Sequence, residues 1–302
     1  MKNFIVLGGN GYLGSKLVDK LRAHKNHKVI SISRKSNNHD NYIKVDLFKN
    51  YKWFNYINNK SIIFFLAFEN NLDLFEKNYF KISKSYNLFL LNFNNYIKKK
   101  KLSPNIIFTS TVSLYPSSLK KIDEKILPDP TSWYDFNKSN FENFFLFFSK
   151  IHNFKFISLR LSNILGKTYH TQTNRGFLNK ILSSNRNIEI KLLNSGKMYR
   201  DYLYLDDAID ALYKIGNNIN KIDTGVYNLC SGKSIRIIDA IKLIKKKIKI
   251  KINIKNLYKK NKFHTSENRN FFGSNKLIRS KIQWRPEQNF KKIIDKLLKK
   301  YN

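Results

Sequence analysis

Three groups of residues in this 302-residue chain could do chemistry, and their order along it matters as much as their types. The first is Gly8-Gly9-Asn10-Gly11-Tyr12-Leu13-Gly14, which follows an apolar run and precedes a helical pattern. Glycines at the Gly9-x-Gly11-x-x-Gly14 spacing permit a tight turn and a close approach of backbone to a pyrophosphate, which then rests at the positive end of the next helix. Such a pattern is weak alone; the strand before it and the helix after it make it a dinucleotide-binding fingerprint. The second group is the hydroxyl-rich run Phe108-Thr-Ser-Thr-Val-Ser-Leu-Tyr115, at the end of another apolar run. The third is Tyr134-Asp-Phe-Asn-Lys138, which places Tyr and Lys on one face of a helix at i, i+4. A phenol titrating near about 10 is a poor base at neutral pH, and an adjacent ammonium favours its phenolate. With 17 tyrosines in the chain a lone Tyr-x-x-x-Lys arises easily by chance. The order glycine loop, strand-end hydroxyls, then Tyr-x-x-x-Lys carries the reading.

The residue about twenty positions beyond the glycine loop reads the adenosine ribose: an acid accepts from the 2′-hydroxyl of NAD, and an arginine suits the 2′-phosphate of NADP. Here that place is Arg34, between Ser33 and Lys35, with no acid following until Asp40. NADP is therefore favoured over NAD.

These groups need a scaffold, and the hydrophobic pattern supplies one. Phe4 to Leu7, Val29 to Ile32, Tyr42 to Val45, Ile62 to Leu66, Ile106 to Phe108 and Phe156 to Leu159 are short, apolar and β-branched or aromatic, the mark of buried strands. Between them Leu13, Leu17, Val18 and Leu21 recur at helical spacing, and Leu88 to Ile97 and Phe141 to Ile151 are long enough for helices. Alternation of this kind predicts an α/β fold with a doubly wound parallel sheet and a smaller C-terminal lobe beside it. In that lobe Ile248, Ile250, Ile252 and Ile254 alternate with lysines and an asparagine, which predicts a half-buried strand over 248–255.

Composition narrows the alternatives. Hydrophobic residues make up 42% of the chain, which excludes intrinsic disorder despite a formal charge of +36. The basic residues are spread along the whole chain beside many Asn, Ile, Phe and Tyr, all with A/T-rich codons, so drift explains them better than a nucleic-acid partner. No run reaches the length of a membrane span, and the apolar stretch Phe4 to Leu7 is too short for a secretory leader. The lone cysteine, Cys230, excludes a disulfide framework, and a soluble cytoplasmic protein is expected. His24-x-x-His27 lacks a third ligand, and the Asp206-Asp207 pair fits a helix start, so no metal is expected.

With these motifs in order, the chain resembles the extended short-chain dehydrogenase/reductases, the NAD-dependent epimerase/dehydratase family typified by UDP-glucose 4-epimerase. Further segments match nearly end to end. Asp46-Leu47 resembles the family's adenine-contacting D-L, and Phe64-Phe-Leu66-Ala67 its strand-four H-L-A. Leu159-Arg-Leu-Ser-Asn163 with Gly166 is similar to L-R-x-x-N-x-x-G, and Gly196 to Tyr202 with Asp206 to G-x-x-x-R-D-[FY]…D. Val226-Tyr-Asn-Leu and Trp284-Arg-Pro286 resemble the C-terminal signatures.

The resemblance implies a Rossmann domain over 1–163, with 201–229 returning to it, and a substrate lobe made of 164–200 and 230–302. It implies a cofactor, NAD(P), held by Gly8, Gly11, Tyr12, Leu13, Arg34, Asp46, Leu47, Leu66, Ala67 and Lys138. Tyr134 would be the acid/base, Lys138 would lower its pKa, and Thr111 would orient the substrate hydroxyl. Asn163 and Arg200 would contact a nucleoside-diphosphate sugar, Arg200 at the diphosphate. The implied activity is that of an oxidoreductase or isomerase acting at C4 of the sugar, as an epimerase or a 4-keto reductase in polysaccharide biosynthesis, and the implied assembly is a homodimer. A non-catalytic dinucleotide binder is the alternative within the fold; retention of Thr111, Tyr134 and Lys138 argues against it. The chain also departs from the family. Val112 and Ser113 stand where 4,6-dehydratases carry Asp-Glu, which disfavours elimination of the C6 hydroxyl. Tyr115-Pro116 echoes GDP-fucose synthase, but Ser113 replaces its cysteine, and Lys81 replaces a usual asparagine.

Overall fold

The structure, a computed structural model, describes residues 1–34, 41–69, 71–167, 176–184, 187–248, 251–257 and 269–301. From the N-terminus run β1 (Lys2–Leu7), α1 (Gly14–Arg22), β2 (His27–Ser33), β3 (Tyr42–Lys44), β4 (Ser61–Phe65), α2 (Leu72–Lys77), α3 (Tyr79–Lys100) and β5 (Asn105–Thr111). Next come β6 (Lys121–Ile122), α4 (Trp133–His152), β7 (Phe156–Leu161), β8 (Asn163–Leu165), α5 (Phe177–Leu182), β9 (Ile188–Leu193) and β10 (Tyr199–Tyr204). The remainder holds α6 (Leu205–Asn217), β11 (Gly225–Leu229), β12 (Ser234–Arg236), α7 (Ile237–Lys245), β13 (Ile252–Leu257), β14 (Phe272–Gly273), α8 (Lys276–Ile282) and α9 (Phe290–Tyr301).

Seven strands form one sheet in the order β11-β7-β5-β4-β1-β2-β3, with every pairing parallel. Every residue of β4 and β7 is buried, as strands covered by helices on both faces must be. One face carries a core shared by β1, α1, α6 and α8, including Phe4, Leu17, Leu212 and Ile278. The other carries an aromatic core from α3 and α4, including Phe89, Phe93, Phe141 and Phe145. The strand order reverses between β1 and β4, so the chain leaves both strands in opposite directions and a crevice opens at their carboxyl ends.

A third core lies beside the sheet. It joins α5, α7 and α9 to β8, β9 and β10 through Leu178, Ile241, Leu192, Tyr202 and Ile294. Ile278, Ile282 and Trp284 belong instead to the core under the main sheet, so the C-terminal third divides between two cores. The strand expected over 248–255 begins at Ile252 and pairs in parallel with β9. Ile248 lies just beyond α7, its N–H donating back to the Ile244 carbonyl at 3.2 Å. Residues 249 and 250 lie outside the described residues.

α3 starts well before the expected Leu88, because the exposed Lys81 and Lys84, and Ser83, whose hydroxyl accepts from Asn137 on α4 at 2.9 Å, dilute its apolar periodicity. Its buried side is still helical in spacing: Tyr86, Phe89, Leu90, Phe93 and Ile97. α4 opens at Ser132, whose hydroxyl accepts the Asp135 N–H at 3.1 Å as an N-cap. Among the described residues no helix is long and apolar enough to cross a membrane.

α4 is pinned to β7 by a buried ion pair. Arg160 donates to both oxygens of Glu142, at 3.2 and 2.7 Å, and Ser158 donates to the same carboxylate at 2.8 Å. The guanidinium also lies 4.6 Å from the centroid of the Tyr115 ring. Burial pushes the Tyr115 phenol up to about 12, and its hydroxyl donates to Asn228 at 2.7 Å. Glu142→Ala would strand the guanidinium without its counter-charge, a loss of about 3–5 kcal/mol in urea unfolding. Removing both charges, as Glu142→Leu with Arg160→Met, is expected to cost less than the single change. A single-variant loss below about 1 kcal/mol would contradict this account of α4.

Candidate active site

The glycine loop turns between β1 and α1 at the crevice. Gly8 sits at φ +89°, and its carbonyl accepts the Gly11 N–H at 2.8 Å. A Cβ on Gly14 would stand 2.1 Å from that carbonyl oxygen, and one on Gly9 would stand 1.9 Å from the Ser31 hydroxyl. Two of the glycines thus serve the turn's own packing against backbone and β2. No side chain caps the N-terminus of α1, and its first turn holds no acid. An uncapped, acid-free helix start fits an anionic pyrophosphate.

A cleft of about 1860 Å³ runs from this loop across the carboxyl ends of the strands to the smaller lobe. The expected cofactor residues Gly8, Gly11, Tyr12 and Leu13 line it, as do Arg34, Asp46 and Leu47 from the neighbouring strand ends, and Leu66 and Ala67 after β4. Arg34 is exposed at the end of β2, while Lys35 and Asp40 lie outside the described residues. The Asp46 carboxylate accepts the Phe48 N–H at 3.1 Å and so holds its own turn. Ala67 backs directly on Gly8, whose hypothetical Cβ would meet the Ala67 nitrogen at 3.0 Å. The side chain of Tyr12 faces away from the phosphate loop: its hydroxyl donates to the Gly166 carbonyl at 2.7 Å and accepts from Asn179 at 3.1 Å. Tyr12 therefore ties the glycine loop to α5 and the smaller lobe.

Thr111, Tyr134 and Lys138 line the middle of the same cleft. Lys138 is almost fully buried, with its ammonium donating to the Thr109 carbonyl at 2.5 Å. It lies 4.0 Å from the centroid of the Phe68 ring and 4.7 Å from that of Phe108, close enough for cation–π attraction. The Tyr134 centroid is 5.7 Å away, and that ring is held edge-on by Phe68 and Phe75. The Thr111 hydroxyl shares a hydrogen bond with Ser113 at 2.8 Å.

At the far end, Asn163 on β8 and Arg200 on β10 complete the lining. Asn163 donates to the Asp201 carbonyl at 3.2 Å, and Arg200 to the Tyr199 carbonyl at 3.2 Å. Asp201 is fully buried and accepts the N–H groups of Ser231 and Gly232, each at 2.8 Å. That cross-link holds β10, and with it Arg200, against the turn after β11. Every residue assigned to the site from sequence lines the one cleft.

Some side chains of the cleft wall were not singled out beforehand. Phe68 follows the strand-four motif; Asn179 anchors the smaller lobe; Asp135 and Arg269 brace the segment after β5 through Ser113. Asp135 stood in plain view beside Tyr134, but only its fold partners reveal a task. Asp206 is not a side-chain cap: it accepts from Lys16 at 2.7 Å and from the Tyr204 hydroxyl at 2.8 Å, joining α1 to α6. His24 and His27 pack on Tyr213 with centroids 5.1 and 6.1 Å away, an aromatic cluster. Among the described residues no group of three His, Cys, Asp or Glu is placed to hold a metal.

Comparison with known proteins shows the fold and the family. The profile of the NAD dependent epimerase/dehydratase family matches residues 4–230. The chain is 30% identical to the dTDP-4-dehydro-6-deoxyglucose reductase of Escherichia coli over 182 residues, 59% of this chain and 54% of that protein, so it spans about half of that relative's length. Among solved structures it resembles the UDP-glucuronic acid 4-epimerase of Bacillus cereus in complex with UDP-glucuronic acid and NAD, with a TM-score of 0.81 at 18% identity over 99% and 98% of the two chains. It also resembles RMD from Pseudomonas aeruginosa complexed with NADPH, with a TM-score of 0.76 at 19% identity over 99% of each chain.

The glycine geometry generates a direct test. Gly9→Ala should weaken dinucleotide binding at least about tenfold by displacing the loop, and Ser31→Ala in that background should recover part of it, because the clash is with a side chain. Gly14→Ala, which clashes with backbone, should not be recovered by any single second change at Ser31. Isothermal titration with NADH and NADPH measures both; unchanged affinity in Gly14→Ala would contradict the packing argument.

Proposed function

Because the chain belongs to the NAD dependent epimerase/dehydratase family, we propose that it moves a hydride between NAD(P) and C4 of a nucleoside-diphosphate sugar. The observation that carries this is the meeting of Thr111, Tyr134 and Lys138 in the middle of a cleft whose two ends are the glycine loop and Arg200. A binder of dinucleotide alone needs neither Thr111 nor Tyr134.

In this reading Tyr134 takes the hydroxyl proton of the sugar as the 4-keto form appears, and returns a proton in the reverse direction. Lys138 holds a positive charge beside the phenol and favours its ionised form. Thr111 hydrogen-bonds the same sugar oxygen. Arg200 meets the diphosphate, where a planar guanidinium suits two acceptor oxygens, and Asn163 sits beside it. The nicotinamide, when bound, supplies or accepts the hydride. An epimerase would return that hydride to the opposite face of the keto sugar, whereas a reductase would take a 4-keto sugar from another enzyme. The placement of Val112 and Ser113 at the end of β5 speaks against the dehydratase branch. Residues 1–163 with 201–229 hold the cofactor in this scheme, and 164–200 with 230–302 the sugar nucleotide.

Arg34 supports NADP as the preferred cofactor, since an exposed guanidinium at the end of β2 suits a 2′-phosphate. The exposed faces of α3 and α4 support a homodimer. Phe80, Leu88 and Leu91 on one helix and Phe136, Phe147 and Ile151 on the other are each about half or more exposed. The helices pack together through Asn87–Asn140 and Asn94–His152 contacts, so these apolar side chains form one patch of the kind two copies bury.

Tyr134→Phe keeps the ring and loses only the hydroxyl; it should preserve fold and cofactor affinity while turnover falls about 10²- to 10⁴-fold. Lys138→Ala should lose comparable turnover and also weaken the cofactor. The measurement is a panel of UDP- and dTDP-sugars, with cofactor titrations on each variant. Arg34→Ala in the same titrations should weaken NADP(H) and leave NAD(H) nearly unchanged. Turnover of Tyr134→Phe within a factor of a few of the parent would overturn the assignment, and tighter NAD(H) binding would overturn the cofactor preference. For the assembly, light scattering should give twice the chain mass, reduced to one by Leu88→Lys with Phe147→Lys; a monomeric parent would refute the dimer.

A further inference from the structure

We propose that Asp135 is a positioning residue that works through Ser113 to set whether Thr111 donates or accepts a hydrogen bond at the reacting oxygen of the substrate. The inference rests on the proposed sugar-nucleotide reaction for its turnover arm, but the wiring is visible without it. Thr111 and Ser113 share a hydrogen bond at 2.8 Å, and Ser113 in turn donates to one oxygen of the Asp135 carboxylate. Ser132 donates to the other oxygen at 2.9 Å, and the Ser113 N–H donates to Thr111 Oγ1 at 3.1 Å. Thr111, Ser113 and Asp135 all line the cleft that holds Tyr134 and Lys138.

Each hydroxyl has one proton to give, so the chain has a direction. An ionised Asp135 only accepts, which commits the Ser113 proton to the carboxylate. Ser113 must then accept from Thr111, and the Thr111 proton points away from the substrate. With one lone pair engaged by the Ser113 N–H, Thr111 presents its remaining lone pair, which suits a sugar hydroxyl about to be oxidised. A protonated Asp135 donates to Ser113 instead, Ser113 donates to Thr111, and the Thr111 proton is released toward the cleft. That state suits a keto oxygen about to be reduced. The change moves one proton onto the carboxylate from solvent and breaks no other covalent bond.

The surroundings keep both states within reach. Asp135 is fully buried, and burial pushes its carboxyl above the usual carboxylate range, opposed by the two serine donors and by Arg269. Arg269 is itself buried in the segment before β14, and is held by the carbonyls of Ser113 and Tyr115 and the hydroxyl of Thr131. Among the described residues, the other charged or titratable groups at this end of α4 include Glu76 on α2, which accepts the Trp133 N–H, Tyr79, which stacks on Trp133, and Lys81 on α3, Tyr115 beyond the strand end, and Tyr134 and Lys138 on α4 itself. The Asp-Glu pair that Val112 and Ser113 replace would put a carboxyl on the strand end. Here the carboxyl comes from the helix, one residue past Tyr134, and reaches the strand end through a serine.

The test compares the parent with Asp135→Asn, Ser113→Ala and Ser113→Thr. The pH dependence of kcat/KM is followed in both directions, with UDP-glucose and dTDP-glucose as alcohols and dTDP-4-dehydro-6-deoxyglucose as ketone. In the parent, alcohol oxidation should rise and ketone reduction should fall as pH passes the Asp135 titration. Asp135→Asn and Ser113→Ala should lose that limb with a drop of roughly tenfold in the favoured direction, while Ser113→Thr, which keeps the hydroxyl, retains it. A uniform drop with the limb intact would show a merely structural role and overturn the proposal. A substrate-free arm follows the carboxyl ¹³C shift of Asp135, identified by its absence in Asp135→Asn. Thr111→Val should raise the Asp135 midpoint by removing the donor that polarises Ser113, and an unmoved midpoint would overturn the coupling. If no sugar nucleotide reacts in the parent, the proposed function fails, and the shift titration still decides the wiring.

Discussion

The buried ammonium of Lys138 is the constraint around which this site is arranged. A lysine charge taken out of water costs several kcal/mol unless it is fully engaged. Here it is met by the Thr109 carbonyl and by the faces of Phe68 and Phe108. Those contacts fix one turn of α4 over the carboxyl end of β5. Tyr134 then lines the cleft one helical turn earlier, and Thr111 follows two residues after the carbonyl that holds the charge. A second buried charge, Arg160 on Glu142, fixes the next turn of the same helix against β7. Two cations under one helix are an expensive way to hold it, and they hold it in register with the strand ends where the chemistry is expected.

The rest of the fold positions the two ends of the substrate cleft. The parallel sheet places the glycine loop at the reversal of strand order, and the smaller lobe must close over it. Tyr12 makes that connection from inside the loop, through Gly166 and Asn179. Lys16–Asp206 ties α1 to α6 beneath the main sheet, at partly exposed positions where an ion pair contributes little by itself. Asp201 does the corresponding work for Arg200, since its carboxylate binds backbone of the turn after β11 while its carbonyl accepts from Asn163. The R-D pair of the motif thus divides its labour: one residue faces the cleft, and the other holds the strand.

Much of this was legible in the sequence because parallel strands buried on both faces announce themselves as short apolar runs, and six of them were read within a few residues of their bounds. The glycine loop and the Tyr-x-x-x-Lys helix were legible because their chemistry depends on spacing within one element. What spacing could not show is pairing between elements. Nothing in the spacing of Tyr134-Asp-Phe-Asn-Lys138 points from Asp135 to Ser113, which the fold brings to its carboxylate. Arg269 lies far along the chain from the strand end it braces. The polar opening of α3 hid two turns of helix, and the Ile–Lys alternation that marks β13 from Ile252 extends back to Ile248, close after the end of α7 at Lys245. The cleft lining shares the basic balance of the chain: Lys and Arg outnumber Asp and Glu there, with Lys49, Lys81, Lys180 and Lys191 beside Arg34, Lys138, Arg200 and Arg269.

The central claim is that this cleft transfers a hydride at C4 of a nucleotide sugar. The most direct measurement is to incubate the protein with UDP- and dTDP-sugars carrying deuterium at C4 and oxidised NAD or NADP, then examine the cofactor and sugar by mass spectrometry. The account predicts deuterium on the nicotinamide ring, or its loss from C4 when excess unlabelled cofactor competes. Retention of all deuterium at C4, with cofactor bound and every sugar nucleotide recovered unchanged, would contradict it.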